Sequence, residues 1–184
     1  MKTLFYIFLF HIILPFGDSD SGSFSTKITK LVQKQVDKTF KTETNLTQFY
    51  PNVKDYYALN STFYYIRTDD KQLQGIAVIT HANGCILGGC SLNTSFESRF
   101  EKFYLLNIYN TKKELSSLIV LDYPGEHGYE ISAKWWLKQF LGEITKPFVY
   151  RKNIDAISGA TVSAQSVVTE LNGINTIVAQ IVLE

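Results

Sequence analysis

Apolar residues recur at helical spacing near both ends of the chain, which predicts a helix in each place. The first helix follows Ser25, a residue type that caps helices well. Its apolar face consists of Ile28, Leu31, Val32, Val36 and Phe40. The last helix begins near Thr161, and Gly173 is a candidate point for it to break or end. Its apolar stripe consists of Val167, Val168, Leu171, Ile174 and Val178.

Between the two helices, β-branched and aromatic residues cluster in short runs separated by turn residues. The runs "STFYYIRT" (61–68) and "LQGIAVITHA" (73–82) flank the turn "DDKQ", which predicts a β-hairpin. The runs "KFYLLNIYN" (102–110) and "LSSLIVLDYP" (115–124) predict a second strand pair, and "PFVYR" (147–151) a further short strand. Helices and antiparallel hairpins are mixed and do not alternate as β-α-β units, so the predicted fold class is α+β.

A third helical pattern lies in "GEHGYEISAKWWLKQFLG" (125–142). Gly142 is placed to end this helix. The apolar positions that would face the core are Ile131, Trp135, Trp136, Phe140 and Leu141. The aromatic members could instead contact a planar ligand, although core packing accounts for at least two of them.

The N-terminal segment differs from the rest of the chain. Lys2 precedes an apolar run from Leu4 to Phe16 that only His11 interrupts. This run is too short to cross a membrane core comfortably and is typical of a secretory signal peptide, so we expect an exported protein. The alternative is a short buried helix or an uncleaved anchor. The predicted organisation is a signal peptide (1–19), a polar linker with the amphipathic helix (20–60), and one domain (61–184).

Composition limits the classes of function. An apolar content of 45% indicates a globular chain, and a net charge of +1 lacks the basic excess of a nucleic-acid-binding surface. No Ser-His-Asp arrangement and no spacing of metal ligands stands out, which argues against a hydrolase. Cys85 and Cys90 lie close together in "GCILGGC", either as a disulfide or as two free thiols.

The segment "DAISGATVSA" (155–164) is the one that suggests chemistry. A helix N-terminus presents unpaired N–H groups and a partial positive charge, and therefore attracts phosphate. Gly159 and Ala160 permit close approach to the backbone, and Thr161 offers a hydroxyl there. The simpler interpretation is that Ser158 or Thr161 caps the last helix.

This segment resembles the flavinylation motif of the FMN-binding domain family, in which an Asp precedes Ser/Thr-Gly-Ala-Thr/Ser. That family includes one component of the sodium-translocating NADH:quinone reductase, one component of the Rnf complex, and many exported FMN-binding proteins. The resemblance implies that a FAD:protein FMN transferase esterifies the motif Thr with the FMN phosphate. Thr161 would then be the attachment residue, and the matching motif positions are Asp155, Ser158, Gly159 and Ala160.

Two further stretches look like parts of the same family, and the similarity covers roughly residues 75–172. "YPGEHGYEIS" (123–132) is similar to the family's Pro-Gly loop, which suggests flavin contacts for His127, Gly128 and Tyr129. Glu126 and His127 depart from the family's more usual apolar residue between glycines. "WWLKQFLG" (135–142) is similar to the helix that follows that loop. The implied fold is a twisted antiparallel sheet with helices packed around it.

From this resemblance we expect an exported electron-transfer flavoprotein, in the bacterial periplasm or on the outer face of the cytoplasmic membrane. It would take electrons from a membrane donor and pass them to an unknown acceptor, as a carrier rather than a complete enzyme. One alternative is a stand-alone extracytoplasmic reductase using the same flavin, with His127 as proton donor. Another is an unflavinylated secreted binding domain, in which the Ser-Gly-Ala-Thr string is only a helix cap.

Overall fold

A computed structural model describes residues 24–54, 59–86, 100–125 and 128–183. The predicted signal segment (1–19), Cys90 and His127 lie outside these described residues. Within these described residues the chain forms five strands and three α-helices in an α+β arrangement, as the sequence predicts. The elements in order are α1 (Thr26–Phe40), β1 (Asn45–Phe49), β2 (Ser61–Arg67), β3 (Leu73–Ile86), β4 (Phe100–Asn110), β5 (Leu115–Asp122), α2 (Lys134–Leu137) and α3 (Thr161–Gln180).

Helix α1 forms where the periodic pattern places it. The Ser25 hydroxyl oxygen accepts a hydrogen bond from the Ile28 backbone N–H at 3.4 Å and so caps the helix start. Ile28, Val32 and Val36 are buried on its inner face. The helix ends at Lys41, which adopts a left-handed conformation with φ 57°. The first predicted helix is therefore confirmed.

The five strands form one antiparallel sheet in which each strand pairs with its neighbours in sequence, in the order β1-β2-β3-β4-β5. Both predicted strand pairs, β2–β3 and β4–β5, are confirmed. The sequence does not predict β1, because its segment "NLTQF" lies on the sheet edge and buries no residue fully. It pairs with β2 from Asn45 opposite Arg67 to Phe49 opposite Phe63.

Side chains alternate across the sheet, and each face has its own core. On one face α1 packs against a cluster that includes Ile66, Ala77, Ile79 and Leu106. On the other face α3 packs against Phe63, Ile76, Val78, Phe103 and Leu105. Because α1 and β1 share these cores with the later elements, they belong to the same packed unit as the segment from residue 61 onward.

The segment 128–142 is less regular than the single helix that the sequence predicts. It consists of a 3-10 turn at Tyr129–Ser132, the short α2, and a second 3-10 turn at Lys138–Phe140. Trp136 and Phe140 are buried as expected, whereas Trp135 is 57% exposed and Leu141 is 42% exposed. The three helical pieces do not share one continuous stripe, so the predicted apolar face is wrong at these two residues.

Two more predictions near the C-terminus need correction. The run 147–151 is not a strand: it contains a turn and one isolated bridge between Tyr150 and Ile154. Helix α3 forms as predicted, but it passes through Gly173 without a break. A Cβ at Gly173 would lie 2.9 Å from Leu59 Cδ2, so the missing side chain leaves room for Leu59.

Candidate functional site

The motif segment 155–160 is the loop that leads into α3, and Thr161 is the first residue of that helix. Ala160 occupies the N-cap position and is fully buried, and its side chain makes no capping hydrogen bond. Thr161 and Ser158 are both exposed. The interpretation in which Ser158 or Thr161 merely caps α3 is therefore not what the structure shows. The N–H groups in the first turn of a helix are the groups to which an anion can bind.

The backbone conformation at Gly159 strongly favours glycine. Its φ of +80° lies in the left-handed region, which a side chain disfavours. A Cβ there would also lie 2.9 Å from Oε1 of Glu130. The small residue before Ala160 therefore lets the loop turn tightly into α3 while the carboxyl group of Glu130 packs against its backbone.

Glu130 joins the two stretches that the sequence analysis singled out. It follows Gly128 and Tyr129 directly, and its contact with Gly159 places the 128–130 turn beside the motif loop. Gly128 adopts φ 91° and is buried, and Tyr129 is 57% exposed. Of the predicted site residues, the structure thus brings Gly128 and Tyr129 near the motif.

The motif loop is held in place by side chains of the preceding segment. The Trp136 indole Nε1–H donates to the Asp155 carbonyl at 2.8 Å, and the Gln139 amide oxygen accepts from the Asp155 N–H at 2.9 Å. The Asp155 side chain itself is exposed. The Trp136 and Phe140 rings pack edge to face within the core, with centroids 4.9 Å apart. They therefore support the loop from the core side and do not stack on a ligand.

The first turns of α3 are tied to the sheet through hydroxyl groups. Ser163 is buried, and its Oγ lies 2.9 Å from the Tyr123 hydroxyl at the end of β5. The Ser166 hydroxyl accepts from the Asn83 backbone N–H of β3 at 2.8 Å. These bonds fix the direction of α3, and so they fix where Thr161 lies relative to the sheet.

The electrostatics of the helix start combine two effects. The partial positive charge at the N-terminus of α3 favours an anion. The nearby carboxyl group of Glu130 is acidic, and its Oε2 is buried with no hydrogen-bond partner among the described residues. The helix end would attract an incoming phosphate. The carboxyl group of Glu130 would lie beside that phosphate, on the side of Gly159. No sequence pattern marks Glu130 and Tyr123 as site residues, because only the folded chain brings them to the motif.

No family model matches the chain, and no curated protein matches it either. The resemblance to the FMN-binding domain family therefore depends on the motif residues themselves. In the described part of the chain, no helix combines the length and the apolar character needed to span a bilayer.

Proposed function

We propose that the chain is an exported electron-transfer flavoprotein that carries FMN in a phosphoester bond to Thr161. The observation that carries the proposal is the start of α3: an exposed Thr stands at the first helical position, directly after the N-cap residue Ala160, whose side chain has no capping group. A Thr needed only for capping would lie one position earlier and bond to the backbone.

The residues at this site fit an attached FMN. The Thr161 hydroxyl is accessible to a transferase, and Gly159 and Ala160 leave the approach free of large side chains. In the attachment step, the Thr161 oxygen bonds to the FMN phosphorus of FAD, AMP leaves, and the hydroxyl proton is released. The phosphodiester keeps one negative charge, which the helix end stabilises by about 0.3–1 kcal/mol.

Each neighbouring group has a role in holding such a cofactor. The isoalloxazine ring supplies the electron transfer when it is bound. Tyr129 is exposed on the turn beside the motif, and we expect it to cover an attached group from that side. Asp155, fixed through its backbone by Trp136 and Gln139, sets the start of the loop. The protein thus provides attachment and orientation, and its partners would be the transferase, a membrane electron donor and an unidentified acceptor.

The test is co-expression with a FAD:protein FMN transferase, followed by denaturation in acid and measurement of flavin fluorescence on the washed protein. We expect the wild-type protein to retain fluorescence and Thr161→Ala to lose it. Thr169→Ala, at an exposed position on the same helix, is the matched control and should retain it. Absence of bound flavin in the wild type, while a known substrate of the transferase is labelled in the same cells, would refute the proposal.

A further inference from the structure

A cleft of about 660 Å³ lies on the sheet face opposite α3, between the first turn of α1 and strands β1 to β4. Ser25 and Thr29 of the α1 end line one side. Side chains of the α1-facing side of the sheet form the floor, among them Thr62, Tyr64 and His81. The volume is in the range of small-molecule sites. Because α3 and Thr161 belong to the other face, this cleft is separate from the proposed flavin attachment point.

Aromatic rings fixed against one another form part of the wall. The Tyr104 ring stands edge to face against His81, with centroids 4.4 Å apart, and against Phe24, with centroids 5.5 Å apart. Tyr64 and Tyr50 add two further rings from β2 and from the end of β1. Rings that are already packed lose little freedom when a planar ligand binds, so the cleft is preformed for aromatic contact.

The described residues that line the cleft are a mixture of polar and apolar types. None of the described residues that line the cleft is an Asp, Glu, Lys or Arg. His81 is the one titratable imidazole in that lining, and burial, with a smaller contribution from the charge of Lys102, lowers its pKa below the ordinary 6.5. His81 is therefore neutral at pH 7. Lys102 lies near His81, but its Nζ donates to Oδ1 of Asn83 and it does not line the cleft. The lining itself therefore gives a charged ligand no ion pair in return for its lost hydration, which favours an uncharged ligand.

The hydrogen-bonding groups of the cleft indicate which polar atoms a matching ligand would carry. The Asn60 amide nitrogen lies 3.3 Å from Nδ1 of His81. An amide nitrogen can only donate, so Nδ1 accepts, and the neutral ring carries its proton on Nε2. The His81 ring therefore has a donor to offer, and Thr62 and Tyr64, which both carry a hydroxyl, line the same cleft. A carbonyl or hydroxyl oxygen on the ligand would match these groups.

We propose that this cleft binds an uncharged, planar aromatic compound that carries an oxygen hydrogen-bonding group. The proposal stands on the cavity, its fixed rings and its uncharged lining, and is independent of flavin attachment at Thr161.

The test uses 2-naphthol, which is neutral at pH 7, and 2-naphthalenesulfonate, which has the same rings and a permanent negative charge. Binding to the purified protein is measured by saturation-transfer NMR and calorimetry. We expect 2-naphthol to bind with a Kd of about 0.1 mM and the sulfonate to bind at least about tenfold more weakly. Equal affinity for the two compounds, or no binding of 2-naphthol at about 1 mM, would overturn the proposal.

Variants locate the site. Thr62→Trp puts a bulky ring on the cleft floor and should weaken 2-naphthol binding at least about tenfold. Thr169→Trp adds the same ring at an exposed position on α3 and should leave the affinity unchanged. Measured melting temperatures are the check that both variants are folded. His81→Phe keeps the ring without the donor and should show intermediate affinity. Undiminished affinity in folded Thr62→Trp would place the binding elsewhere and contradict the proposal.

Discussion

A buried hydrogen bond between Tyr109 of β4 and Asn175 of α3 provides a quantitative test of how the helix that carries Thr161 is held. The Tyr109 hydroxyl donates to Oδ1 of Asn175 at 2.8 Å, and both residues are buried. Burial raises the pKa of the Tyr109 phenol well above its ordinary value, so the group stays protonated and remains a donor. The Asn175 Nδ2 atom is buried and has no hydrogen-bond partner among the described residues.

Tyr109→Phe removes one oxygen and changes the packing little. The substitution removes a hydrogen bond, whose net contribution to stability is about 0.5–1.5 kcal/mol. It also leaves Oδ1 of Asn175 buried without a partner, and the full desolvation penalty of such an atom is about 1–3 kcal/mol. Because the two terms overlap, we expect the free energy of unfolding to fall by about 2 kcal/mol. In a chain of this size that lowers the melting temperature by about 4–8 °C.

The assay is equilibrium urea unfolding, followed by circular dichroism and by fluorescence of the buried Trp136. The midpoint should fall with an unchanged slope. Tyr129→Phe, at an exposed tyrosine, is the control and should change stability by less than about 0.5 kcal/mol. Adding Asn175→Leu to Tyr109→Phe should recover much of the loss, because both partners are then apolar. A loss below about 0.5 kcal/mol for Tyr109→Phe would refute the reasoning.

Three further predictions concern stability. Burial raises the pKa of Glu170, against a smaller opposing effect of Lys102, so the wild type loses stability as the pH rises above 4.5. Glu170→Gln should therefore have a higher urea midpoint than the wild type at pH 7 and the same midpoint at pH 4. A Cβ at Gly75 would lie 1.9 Å from the Tyr109 carbonyl oxygen, so Gly75→Ala should lower the unfolding free energy by about 3 kcal/mol, and an unchanged urea midpoint would contradict this. Ser25→Ala removes the acceptor for the Ile28 N–H and should cost about 1 kcal/mol by thermal unfolding, whereas Ser25→Asp should keep the cap.

The sequence predicts those elements whose burial follows a simple period. Helix α1 buries every third or fourth residue, and β2 to β5 carry β-branched and aromatic runs, so all of these can be predicted. Strand β1 carries only one apolar residue on each face, Leu46 and Phe49, so its pairing with β2 is what defines it. The run 147–151 has strand-like residues but gains no strand partner, since it bends back on itself between Tyr150 and Ile154. Pairing, unlike periodicity, is a tertiary property.

Part of the candidate site can likewise be predicted from the sequence, and part of it cannot. The motif from Asp155 to Thr161 is a local string, and its position at a helix start could be predicted from the apolar stripe that follows. The contact of Glu130 with Gly159 depends on how two loops meet. The cleft around His81 needs α1, β2 and β3 together, and nothing in the spacing of their residues along the chain marks them as neighbours.

The most direct test of the central claim is the mass of one peptide. Lys152 is the last basic residue, so trypsin releases residues 153–184 as a single C-terminal peptide that contains the whole motif. After co-expression with the transferase, we expect this peptide to gain about 438 Da, the mass of FMN less water, with fragment ions assigning the gain to Thr161. An unmodified peptide from cells in which a control protein is flavinylated would contradict the account, as would a gain located on Ser158.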